Sequence, residues 1–282
     1  MATIHLTSPP KIHHTTAQFA NFPAIEACTL LANEAEEAFE TSMDYVQLCP
    51  QTPTVFTEDT LTEIQEAFPD TQFQLHANVR VQPGLLILDA SSYNERTHWY
   101  FERLGELSAF INAPAYSLHS GRKRHCSMKG LFHNLAAIQK LFSMPVLVEG
   151  MYPTRDGPEK YLMSTWQEYI DVMNSGFYYA IDLSHLHIVA NREGERPDWV
   201  YQLIAHSNCK EVHVSHNNGR SDAHRPIADR IWEGLWWKEA WLSALSDRSD
   251  NDQPLHFTEG LHRTRSHRHN TISTKNRGKH HG

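Results

Sequence analysis

The side chains able to do chemistry in this 282-residue chain are histidines and carboxylates that recur at the ends of short apolar segments. His76 stands in Gln74-Leu-His-Ala-Asn, His119 in Tyr116-Ser-Leu-His-Ser-Gly, and Glu149 closes Val146-Leu-Val-Glu. Asp182 and His185 share Ala180-Ile-Asp-Leu-Ser-His, and His213 lies in Glu211-Val-His-Val-Ser-His. Asp222 and His224 follow in Gly219-Arg-Ser-Asp-Ala-His, and Glu259 closes His256-Phe-Thr-Glu. Imidazole and carboxylate are the ligands that zinc, iron and manganese prefer. No thiolate set competes, because Cys28, Cys49, Cys126 and Cys209 are far apart and form no C-x-x-C; they are expected to be buried free thiols. Carboxylates brought together would repel one another unless cations neutralised them. A cluster of two or three divalent ions (Zn, Fe or Mn) is therefore the expected cofactor.

A lone histidine at the end of a strand is more often a hydrogen-bonding residue than a ligand. The case for a site lies in the shared placement. Strands are expected at Ile4–Leu6, Tyr45–Leu48, Phe73–Val79, Ala115–Leu118, Val146–Glu149, Tyr178–Leu183, Glu211–Val214 and Leu255–Thr258. Between them, apolar residues three and four apart predict helices at Ala24–Ala38, Thr60–Phe68, Thr97–Ile111, Lys129–Phe142, Thr165–Asn174, Pro197–His206 and Arg230–Leu245. Alternation of strand and helix implies a parallel sheet, and eight such units close most economically into a (β/α)8 TIM barrel, an α/β fold. An open doubly wound sheet would show a Gly-rich turn after its first strand, and Ile4–Lys11 has none. In a barrel every residue named above falls on the C-terminal rim, where catalytic groups gather.

One catalytic domain is expected over residues 1–262, followed by a flexible, basic, His-rich tail over 263–282. Of the 20 histidines, His267, His269, His280 and His281 belong to that polar tail and His262 adjoins it. His187 would point to the opposite side of a regular strand from Asp182. It and His216 are expected to support ligands or touch substrate. Trp232, Trp236, Trp237 and Trp241 have the spacing of an amphipathic helix and are expected to pack it on the barrel. The net charge of -8 disfavours extended nucleic acid as a partner. No secretory leader or membrane-spanning stretch is legible, so a cytoplasmic protein acting on a small-molecule or peptide substrate is expected; oligomeric state is not legible.

These motifs resemble the superfamily of xylose-isomerase-like TIM barrels, which includes endonuclease IV and many sugar-phosphate isomerases and epimerases. The most specific match is the seventh-strand segment, His213-x-x-His-Asn-Asn-Gly-Arg-x-Asp-x-His-x-Pro-Ile, and Asp182-x-x-His185 matches the sixth. The resemblance spans about Phe73 to Glu259. It implies one metal site at His76, His119 and Glu149, a second at Glu149, Asp182, His213 and Glu259, and a third at His185, Asp222 and His224. Plain epimerases are similar only at the second set. After His224 the family usually has a Gly-containing turn, whereas this chain runs Arg225-Pro-Ile-Ala-Asp-Arg. The DNA-bending loops of an abasic-site enzyme are not apparent, although Gly121-Arg-Lys-Arg-His is a short basic stretch. A second resemblance is to multinuclear iron-dependent oxidative enzymes that modify peptides or small amino-acid derivatives.

The leading expectation is hydrolysis of a phosphoester of a small sugar- or nucleotide-like substrate, with Glu149 and Glu259 as bridging or basic groups and Arg122 or Arg220 on a phosphate oxygen. The alternatives are iron-dependent oxidation, and sugar isomerisation with Glu149 and Glu259 as the acid/base pair. A non-catalytic metal-binding scaffold is disfavoured, because an open rim of ligands is costly to keep without turnover.

Overall fold

Segments such as Val146-Leu-Val-Glu are apolar on both faces, as strands sandwiched between a barrel interior and a helical layer must be. In a computed structural model, which describes residues 10–34, 38–50, 53–84, 86–155, 157 and 159–260, these segments form β1 (Ile12–Thr15), β2 (Thr41–Leu48), β3 (Gln72–Leu75), β4 (Tyr116–His119), β5 (Val146–Glu149), β6 (Tyr179–Asp182), β7 (Cys209–Val214) and β8 (Leu255–Thr258). Their order is β3-β2-β1-β8-β7-β6-β5-β4, with parallel neighbours throughout. A single parallel bridge between His76 and Ser117 spans the remaining gap from β3 to β4. The result is a nearly closed TIM barrel, as expected.

The first strand is not where the sequence suggested. Ile4–Leu6 lies outside the described residues, and the barrel uses Ile12–Thr15 instead. His13 and His14 interrupt the apolar run that marks a strand in sequence, yet both are buried, at 7% and 2% exposure. Packing, not composition, made this segment a strand.

The outer layer comprises α1 (Ala24–Leu31), α2 (Glu58–Ala67), α3 (His98–Phe110), α4 (Met128–Gln139), α5 (Trp166–Met173), α6 (Leu183–Glu193), α7 (Val200–Ala205), α8 (Asp229–Trp232) and α9 (Lys238–Ser246). Helix α6 was not expected, because the strand was read over Tyr178–Leu183 and His187 was taken to lie on its regular continuation. Asp182 decides the matter: its Oδ1 accepts from the backbone N–H of Ser184 at 2.6 Å and of His185 at 3.1 Å, which starts a helix. Gly194, with φ of 75°, ends α6 in the left-handed conformation that glycine adopts without strain. The single helix expected over Arg230–Leu245 is two, α8 and α9. The break contains Gly234, a poor helix former, and leaves Trp237 and Trp241 fully buried in edge-to-face contact at 6.1 Å. The tryptophan cluster thus packs the last helices on the barrel.

Registry fixes what the rim presents. His119 lies beside Glu149, Asp182 beside His213, and His213 beside Phe257. Since side chains alternate along a strand, Leu147 and Ala180 share faces with Glu149 and Asp182 two residues on. With Ala115 they form a small apolar cluster separate from the main core. Each large aliphatic side chain buried in that main core contributes about 1.5–3 kcal/mol against chain entropy. All four cysteines are free, Cys126 being only partly buried. Among the described residues no helix is long and apolar enough to cross a membrane.

Candidate metal centre

Glu149, at the end of β5, is the meeting point of the rim. Its Oε2 lies 3.2 Å from His76 Nε2 and 3.6 Å from His119 Nε2. Its Oε1 lies 3.5 Å from His213 Nδ1 and 3.7 Å from His185 Nδ1. On the far side, Glu259 Oε1 stands 3.4 Å from His213 Nδ1, and Glu259 Oε2 stands 3.1 Å from His224 Nδ1. Asp222 Oδ2 joins the third group, 2.6 Å from His224 Nε2 and 3.3 Å from His185 Nε2. All nine expected ligands therefore converge, carried by six strands, one helix start and the loop after β7.

Among the described residues, three overlapping groups have potential ligand atoms within 4.8 Å of one another: His76–Glu149–His213, Glu149–Asp182–His185 and Asp182–His213–Glu259. These differ in detail from the expected sets, because His213 also joins His76, and His185 turns toward Asp182 and Glu149. His119, Asp222 and His224 border these groups. The reason is α6, whose first turn aims His185 inward.

Two histidines have their tautomers set by fixed acceptors. His185 Nδ1 lies 2.7 Å from the carbonyl oxygen of Gly150, which can only accept, so Nδ1 donates and Nε2 is left for a cation. His213 Nε2 donates to Glu211 Oε1 at 2.6 Å, which leaves Nδ1 facing Glu149 and Glu259. Glu149 Oε2, Asp182 Oδ2, His185 Nε2 and His213 Nδ1 are buried without a hydrogen-bond partner of good geometry among the described residues. Buried polar atoms are ordinarily satisfied. All four belong to residues of the three groups, Asp182 Oδ2 lying 3.5 Å from His185 Nε2, and their chemistry fits a divalent cation.

The charge balance points the same way. Glu149, Asp182, Asp222, Glu259 and Glu211 are all buried or nearly so, and none makes an ion pair with lysine or arginine among the described residues. Only imidazoles compensate them. Burial pushes Glu149 up, but the charges of His213 and His119 and bonds to His213 and His76 hold it well below the usual carboxylate range. Burial, helped by the charges of Glu259 and Asp222, raises Asp182 to about 6. His185 is lowered by burial but driven up to about 10 by Asp182 and Asp222. His224 reaches about 12 against its burial, through Glu259 and Asp222. Protons thus occupy the role that cations would take.

No protein-family model and no curated protein matches the chain. Solved structures do. A D-tagatose 3-epimerase-like protein matches with a TM-score of 0.61 at 14% identity, covering 89% of this chain and 92% of that one. An AP endonuclease, family 2, from Brucella melitensis matches with a TM-score of 0.61 at 14% identity, covering 90% and 94%. D-Psicose 3-epimerase from Clostridium cellulolyticum H10, solved with D-tagatose, gives 0.56 at 12% identity, covering 88% and 84%. Xylose isomerase domain proteins are matched as well. The fold shared with these structures is the TIM barrel. At such identities the likeness carries the fold and leaves the reaction to the site.

Within this barrel, four expected substrate contacts sit outside the cluster. His187 is on α6 rather than on a strand, so the alternation expected to turn it away from Asp182 does not apply. Its pKa is lowered by burial and then by His216. His216 forms a backbone bridge with Arg225. Arg122 is tied by its backbone to Ser91 and Tyr161 in the loop after β4, and makes no contact with the cluster among the described residues. Arg220 lines a cavity of about 620 Å³ with Thr154, Arg155, Arg192, Asn218 and Ser221.

The sequence reading missed Glu211 as a functional candidate. It is fully buried two residues before His213, hence on the same face of β7. That period-2 spacing was the available signal. Also missed was Tyr152, whose ring packs 4.6 Å from that of His185.

Proposed function

We propose that this chain is a multinuclear metal-dependent enzyme that hydrolyses a phosphoester of a small sugar- or nucleotide-like substrate. The observation that carries the reading is the position of Glu149, which faces His76 and His119 through one oxygen and His185 and His213 through the other. A carboxylate so placed suits bridging, and a single ion would leave much of the nine-residue set unused. Metal ions held by His76, His119, Glu149, Asp182, His185, His213, Asp222, His224 and Glu259 would supply Lewis acidity and lower the pKa of water.

The chain's own residues would do the rest. Asp182 and Glu211 orient His185 and His213, the first through the helix start and the second through a hydrogen bond. Glu259, between His213 and His224, is placed to hold or pass a proton at Oε2. The cavity that begins at Ser221, next to Asp222, has Arg155, Arg192 and Arg220 on its walls and no carboxylate among the residues lining it. It suits an anionic group on the substrate.

A second reading, sugar epimerisation, is favoured by one observation: Glu149 and Glu259 both face Nδ1 of His213, at 3.5 and 3.4 Å, as an acid/base pair around one ion would. The ligand balance of five histidines to four carboxylates also suits iron, which would direct the chemistry to oxidation. One panel separates the three. Protein loaded with zinc or manganese is assayed on phosphomonoesters and diesters and on ketoses, and iron-loaded protein for dioxygen uptake with peptides. Phosphate release with zinc or manganese supports hydrolysis. Ketose epimerisation, or dioxygen uptake by iron-loaded protein alone, would overturn it.

A further inference from the structure

Glu211 is the most unusual residue in the barrel interior. Interior layers of a TIM barrel are dominated by branched apolar side chains. Here a carboxylate with no exposure accepts hydrogen bonds from four directions. Its Oε1 takes Gln47 Nε2 at 2.8 Å, Ser117 Oγ at 2.6 Å and His213 Nε2 at 2.6 Å. Its Oε2 takes Gln74 Nε2 at 2.6 Å. The donors come from β2, β4, β7 and β3, so the network crosses the barrel beneath the rim.

Gln47, Gln74 and Ser117 are neutral. They satisfy the lone pairs of Glu211 but do not cancel its charge, and a buried carboxylate without a cation is strongly disfavoured. The link to the rim is His213, whose Nε2 lies 2.6 Å from Oε1, so a cation on Nδ1 of the same ring would offset the charge.

We infer that Glu211 is a positioning residue that selects the nitrogen His213 offers to a metal ion: it holds the proton on Nε2 and leaves Nδ1 for the cation. The inference rests on the metal reading of the rim. A ring flip would lose the bond at Nε2 and turn Nδ1 away from Glu149 and Glu259, and the three neutral donors hold Glu211 against following it. Such a partner orients its histidine, raises its basicity and favours uptake of the ion.

The test uses Glu211→Gln, whose single carbonyl oxygen cannot accept from all four donors. Zinc affinity of the metal-free full chain is measured by competition with a chelating dye, and apo-protein melting is followed alongside. Histidine-selective nitrogen NMR of zinc-loaded wild type, with the His213 signal assigned by its loss in His213→Gln, reads the tautomer without needing the Glu211 variant to fold. The expected result is Nδ1-bound zinc with the proton on Nε2 in wild type, and affinity for the most affected ion about 10–100-fold weaker in Glu211→Gln. Zinc on Nε2 of His213, or a folded Glu211→Gln with wild-type affinity, overturns the inference alone. Wild type that takes up no zinc overturns the metal reading and this inference with it.

Discussion

Glu149 Oε1 lies 3.5 Å from Nδ1 of His213, while the other oxygen of the same carboxylate lies 3.2 Å from His76. One side chain thus faces candidate ligands on two sides of the rim. Glu149→Ala should lower the metal content by more than one ion per chain, measured by elemental analysis after reconstitution and desalting. His224→Ala, at the border of the cluster, should remove one at most. Equal losses from the two variants would contradict the bridging role.

Metal uptake should release protons. His185 is raised to about 10 and His224 to about 12, so in the metal-free protein both are protonated at pH 7 and must deprotonate to bind an ion. Apparent affinity should rise with pH across 6 to 9 and weaken in acid, where Asp182, raised to about 6, also takes up a proton. His213, lowered by burial but driven well above its ordinary value by Glu259 and Glu149, adds a third. Calorimetry in buffers of different ionisation enthalpy should therefore show about two to three protons released per chain at pH 7. Metal binding without proton release would refute the charge balance described for the rim.

Gly150 separates Glu149 from Met151 beneath the ring of Tyr169. A Cβ at Gly150 would approach ring atoms of Tyr169 at less than ordinary contact distance, and Tyr169 is held in place by donating to the Met151 carbonyl at 2.9 Å. Gly150→Ala should destabilise the protein by about 1–3 kcal/mol through overpacking. It should also weaken metal binding by shifting Glu149 and the carbonyl that holds His185. Denaturant unfolding of the metal-free protein checks the first effect, and an unchanged midpoint would show that Tyr169 yields freely.

The sequence carried most of this arrangement and failed at definable places. Val146–Glu149 and Leu255–Thr258 were readable to the residue because an apolar run ends in a carboxylate at the rim. The convergence of His76, His119, Glu149, Asp182, His213 and Glu259 was readable because strand ends share one geometric rule. The first strand was not, since His13 and His14 conceal it behind polar residues that only the folded barrel buries. Helix α6 was hidden because Asp182 serves as strand end and helix cap at once, and a period-2 reading of His185 and His187 cannot show that. Glu211 was passed over because a buried carboxylate gains meaning only from Gln47, Gln74 and Ser117, which arrive from distant parts of the chain.

His256 faces the helical layer, fully buried, with its ring 5.5 Å from Trp241. Burial lowers its pKa to about 3 from an ordinary 6.5. The folded protein therefore resists a proton that the unfolded chain accepts, and stability is lost as pH falls from 6.5 toward 3, approaching about 1.4 kcal/mol per pH unit for one proton. In His256→Leu that component should vanish. Urea unfolding of both proteins at pH 7 and 5 tests this, and parallel losses would show that His256 accepts its proton in the folded state.

The central claim is that the rim of this barrel holds more than one metal ion. Crystals of the reconstituted full chain, with anomalous diffraction collected at the edges of zinc, iron and manganese, test it most directly. The account predicts two or three peaks, with Glu149 contacting at least two of them and His213 bound through Nδ1. A single peak at Glu149, Asp182, His213 and Glu259, with His76, His119 and His224 free of metal, would contradict it.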